Sequence, residues 1–85
     1  MNKKREIELL ELLKERVNTG QYGGMCSALS SLLFDLVDEE ANWIKKLIIN
    51  NPPEHDYFLY YFPAFLVEPR IQWINERIKE LENDL

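Results

Sequence analysis

All four prolines of this chain fall inside one stretch, "NNPPEHDYFLYYFPAFLVEPR", residues 50–70. Proline lacks a backbone donor and clashes with the turn before it, so no continuous helix crosses Pro52-Pro53 or Pro63. The rest of the chain lacks that breaker, and its apolar residues recur at spacings of three and four. The spacing predicts a first helix over 3–18, with Ile7, Leu10, Leu13 and Val17 on one face and Leu9 and Leu12 widening it. Glu11, Lys14 and Glu15 then read as an ordinary solvated face. Asn18-Thr19-Gly20 and Gly23-Gly24 stop it. A second helix is expected from Cys26 to Val37, its apolar face carrying Leu29, Leu32, Leu33, Leu36 and Val37. Asp38 is expected to cap a third helix with Glu39 and Glu40 in its first turn, a core Trp43, and an end at Asn50-Asn51.

Between Asn51 and Glu68 lies a long crossover, expected to form a turn or short helix at 54–62 and then an extended stretch over the bundle. Loops of this length usually carry function or dock on a surface. Glu68-Pro69 should open a last helix, with proline at its first position and Ile71, Ile74, Ile78, Leu81 and Leu85 along it. The fold class is all-α: a single domain, residues 1–85, of about four helices with a long aromatic crossover before the last. Six of the ten aromatic residues lie between Tyr57 and Phe65. That is more apolar surface than a small monomer easily covers, so a homo-oligomer is expected.

Composition removes several function classes. The net charge of −5 argues against a surface for duplex nucleic acid. The one basic run, Lys3-Lys4-Arg5, reads as a solvated helix start. One cysteine and one histidine allow neither an internal disulfide nor a zinc cluster, and a reducing, cytoplasmic setting is the simplest reading. No apolar run approaches a membrane span, and the N-terminal stretch has no h-region of a signal peptide. Cys26 and His55 alone do not make a thiol catalyst, and Cys26 falls on an apolar stripe. "GGMCS" has glycines before a helix start but not the lysine of a P-loop, so Ser27 reads as a cap. Glu39-Glu40 and Asp35-Asp38 lack the companion ligands of a hard-metal site. No cofactor and no catalytic residue are expected.

The remaining oddity is "RIQWINERIKEL", residues 70–81. At about 100° per residue, with Arg70 as zero, Ile74 lies near 40°, Ile78 near 80°, Arg77 near −20° and Trp73 near −60°. The arginines thus border the apolar stripe beside Trp73. Their stems can simply cover apolar surface. They can pair with Glu68, Glu76 or Asp56 as a clamp. Or, with Trp73, they can edge a groove, since a guanidinium fork suits carboxylates and phosphates and an indole offers a stacking face. The groove is the expected arrangement: Arg70, Trp73 and Arg77, with His55, Tyr57, Tyr60 and Tyr61 from the crossover, holding a small anionic, nucleotide-like ligand. The alternative is an inhibitor that binds another protein through acidic and aromatic surface.

"LLKERVNTGQYGGMCSAL", a tryptophan followed by "KK", "NPP", an aromatic stretch and "PRIQWINERIKEL" together resemble small accessory proteins of tailed bacteriophages and prophages. The likeness runs from about Arg5 to Leu81. It implies a phage accessory protein acting in the cytoplasm of a bacterial host cell. Such proteins counter host defence by binding a host protein, or as compact oligomers that sequester nucleotide signals. The resemblance assigns no role to any single residue.

Overall fold

Helix α1 (Lys3–Asn18) starts where Asn2 ends the N-terminal arm. The Asn2 side-chain oxygen accepts the Arg5 N–H at 2.8 Å, which satisfies one of the orphan donors of the first turn. In the computed structural model the described residues are 1–18, 25–52 and 67–84, with the backbone alone at Met25, Cys26 and Val67. Expectations that fall on the crossover, on the Cys26 side chain or on Leu85 lie outside them. Among the described residues the chain is all-α, and three more helices follow: α2 (Met25–Leu33), α3 (Asp38–Asn50) and α4 (Val67–Asn83). None of them is long and apolar enough to cross a membrane.

The four helices share one apolar cluster. Leu10, Leu13 and Val17 come from α1, Ala28 and Leu32 from α2, Ile44 and Ile48 from α3, and Trp73, Ile74 and Ile78 from α4. Each fully buried leucine or isoleucine contributes roughly 1.5–3 kcal/mol by leaving water. Helix α1 packs most extensively against α4 and next against α2. Two polar bridges fix the α1–α4 pair as antiparallel. Lys3 Nζ lies 3.3 Å from Asp84 Oδ2 at one end, and Lys14 Nζ donates to Asn75 Oδ1 at 3.0 Å further along. Arg16 reaches across to α2 and the turn after it, donating to Ser31 Oγ at 2.6 Å and to Asp35 Oδ2 at 2.7 Å. Arg5 Nε donates to Glu40 Oε2 at 2.7 Å and so ties α1 to the first turn of α3.

Several sequence-based boundaries move. Helix α2 ends at Leu33, not Val37. Hydrogen bonds from Asp35 N to Leu32 O and from Leu36 N to Leu33 O close a tight turn there, while Asp35 is held by Arg16. Val37, expected on the apolar face, is extended and 64% exposed. It takes the cap position of α3 that Asp38 was expected to hold. A valine side chain has no acceptor, so the cap here is the Glu40 carboxylate receiving the Val37 N–H at 3.4 Å. Trp43 is half-buried against the core rather than inside it. Helix α4 begins at Val67, which moves Pro69 from the first to the third helical position. Proline is tolerated there because first-turn N–H groups have no intrahelical partner. Helix α3 ends at Asn50 as expected, with Asn51 N–H and side-chain amide both donating to the Leu47 carbonyl.

Candidate functional site

The three site residues expected on α4 occupy three different environments. Arg70 is 1% exposed. With Trp73, Ile74 and Ile78 also buried, the buried arc of α4 runs from about −60° to 80°, and Arg70 sits in its middle rather than at its edge. Burial pushes the Arg70 guanidinium pKa down to about 10, so it remains a cation at neutral pH. A side chain this enclosed offers almost no surface to an anion arriving from solvent. Trp73 is also buried, and its Nε1–H donates to the Asn51 carbonyl at 2.9 Å, joining α4 to the end of α3. Arg77 lies over the Trp73 ring, with Cζ 5.4 Å from the centroid. Its Nη2 is 2.8 Å from Glu80 Oε1 and 3.6 Å from Glu76 Oε2. Carboxylates of its own helix therefore already engage one nitrogen of the Arg77 fork, Nη2. His55, Tyr57, Tyr60 and Tyr61 lie outside the described residues. Among the described residues, no group of three or more His, Cys, Asp and Glu side chains is placed to hold a metal ion.

A concave feature lies on the α1–α4 seam, where the sequence suggested a core position for Ile7, Leu12 and Ile71 and a solvated face for Glu11, Lys14 and Glu15. A groove of about 790 Å³ is lined by Arg5, Ile7, Glu8, Glu11, Leu12, Lys14, Glu15 and Asn18 of α1 and Ile71 of α4. Asn18 and Ile71 also line a second groove of about 490 Å³ that continues along α4 past Glu68, Gln72, Asn75, Glu76 and Lys79. Arg5 to Asn18 spans about 20 Å of helix. Ile7 and Ile71 are half-buried against the core, and Leu12 is 36% exposed, so the groove has apolar sides.

Its charge is set by which groups are already engaged. Arg5 is turned toward Glu40 and Glu8, at 2.7 and 3.1 Å. Arg5 and Glu40 favour each other's charged forms: the Glu40 carboxyl sits below its usual pKa, chiefly through the hydrogen bond from Arg5. Lys14 Nζ is 3.2 Å from Glu11 Oε2 and 3.0 Å from Asn75 Oδ1. Glu15 joins no ion pair among the described residues. The groove therefore sets apolar side chains beside three carboxylates and two cations, with Glu8 paired to Arg5 and Glu11 to Lys14, which leaves an excess of one carboxylate, Glu15.

This site was partly visible in the sequence. Arg5, Glu8, Leu12 and Glu15 recur at spacings of three and four, a stripe of their own with one leucine among charges. Assigning Leu12 to the core stripe concealed it. No family model, curated relative or solved structure matches this chain.

Proposed function

We propose that the protein is a non-enzymatic interaction module that receives a cationic amphipathic helix of a partner protein in the α1–α4 groove. The observation that carries this reading is the groove itself: Ile7, Leu12 and Ile71 beside Glu8, Glu11 and Glu15. A helix laid in such a groove covers its apolar face, while its lysines and arginines meet the carboxylates. The net charge of −5 supports the same sign of partner and speeds its approach. We prefer this reading to the nucleotide-like ligand, because Arg70 is enclosed and Nη2 of Arg77 is already engaged by Glu80. It keeps the accessory role in a bacterial host cell that the resemblance implies, with a host protein as target. The groove lies within one copy of the chain, so the reading does not depend on a homo-oligomer.

The test is a titration with a designed helical peptide of about 14 residues, long enough to span the groove. One peptide carries leucine on one face and lysine on the other; a second replaces lysine with glutamate; a third scrambles the lysine peptide. The expected result is saturable binding of the first alone, weakening as salt rises. Leu12→Ser should weaken that binding without adding charge to the groove, and thermal melts check that the fold survives, because Leu12 is only 36% exposed. Equal binding of the glutamate peptide, or full binding by the folded Leu12→Ser protein, would overturn the proposal.

A further inference from the structure

Lys14 stands out within the groove. It is a groove-lining residue of α1 whose ammonium crosses to α4: Nζ lies 3.2 Å from Glu11 Oε2 and donates to Asn75 Oδ1 at 3.0 Å. Its side chain keeps 30% exposure and that of Glu11 keeps 50%, so the pair is open to exchange with solvent and ligands. A cation thus already sits on one of the three carboxylates that line the groove. We infer that Lys14 is an internal competitor: its ammonium occupies Glu11, must be displaced when a cationic helix binds, and so sets the affinity of the groove.

The inference rests on the proposed function of the same groove, and the two fail separately. Removing Lys14 frees Glu11 and opens the bridge to Asn75. Lys14→Met keeps the aliphatic stem, so the side of the groove stays covered. An exposed ion pair is worth about 0.2–1 kcal/mol, so Lys14→Met should bind the leucine–lysine peptide up to about fivefold more tightly. Removing any lysine also makes the whole protein more acidic. The control is Lys4→Met, the same charge change at an exposed residue of α1 that does not line the groove.

The experiment is a peptide titration of wild type, Lys14→Met, Lys14→Arg and Lys4→Met at low ionic strength. Thermal melts confirm that each is folded. The expected order puts Lys14→Met tightest, with a gain exceeding that of Lys4→Met, and Lys14→Arg close to wild type because it keeps the cation. Glu11→Gln should cost little in wild type, where Lys14 masks the carboxylate, and more in the Lys14→Met background. If wild type binds but Lys14→Met gains no more than Lys4→Met, this inference falls and the function stands. If neither wild type nor Lys14→Met binds the peptide, both fall.

Discussion

Trp73 and Arg77 show how one side chain can be satisfied in two directions. The indole gives its N–H to the Asn51 carbonyl and its face to the Arg77 guanidinium. Replacing Trp73 by Phe keeps an aromatic body but loses that donor and leaves part of the site unfilled. Together these should cost about 1–3 kcal/mol in urea unfolding. Arg77→Met should cost less, under about 1.5 kcal/mol, because a stacked cation with ion pairs on its own helix is a modest contributor. A larger loss for Arg77→Met than for Trp73→Phe would contradict these assignments. The position of Arg70 was within reach of the sequence. Counting Trp73 as apolar widens the stripe to about −60° and leaves Arg70 at its centre. What periodicity does not give is the state of a buried guanidinium, because that depends on residues brought near it by the fold.

At the level of elements, α1 organises the molecule through contacts with each of the other three helices. Its tie to α3 is electrostatic and therefore titrates. Glu40 is held below its ordinary pKa of 4.5 by Arg5 and by the Val37 N–H. A carboxyl with a depressed folded-state pKa contributes stability that is present above the unfolded value and lost as pH falls through the folded one. Wild type should thus melt above Glu40→Gln at neutral pH, and the gap should close once the pH drops below the folded-state value. A gap that is constant into acid would mean that the Arg5–Glu40 contact adds nothing. The first and third helices were legible because their punctuation is strong: a regular leucine stripe up to Asn18, and a proline pair just after Asn51. Helix α2 was not, because Leu36 and Val37 continue the apolar pattern beyond the point where the chain turns. The turn is held by the reach of Arg16 to Asp35, a contact between residues nineteen positions apart in sequence. The start of α4 was misjudged by two residues because proline fits any position of a first turn.

For the whole molecule, a radius of gyration of 12.1 Å matches the roughly 12 Å of a compact chain of this length. So small a body has a modest interior. A third helix laid over the α1–α4 seam would cover apolar surface that the described residues leave open, and the carboxylates beside it would favour a cationic one. The expected homo-oligomer drew on residues 57–65 and lies outside the described residues, whereas the groove draws on residues of α1 and α4 that are described. The most direct test is a backbone amide spectrum of the ¹⁵N-labelled protein, followed as the leucine–lysine peptide is added. The expected result is that the largest shifts fall on Ile7, Glu8, Glu11, Leu12, Glu15 and Ile71, while the outer face of α3 around Lys45 and Lys46 stays still. Shifts centred instead on Trp73 and Arg77, or on that face of α3, would contradict it.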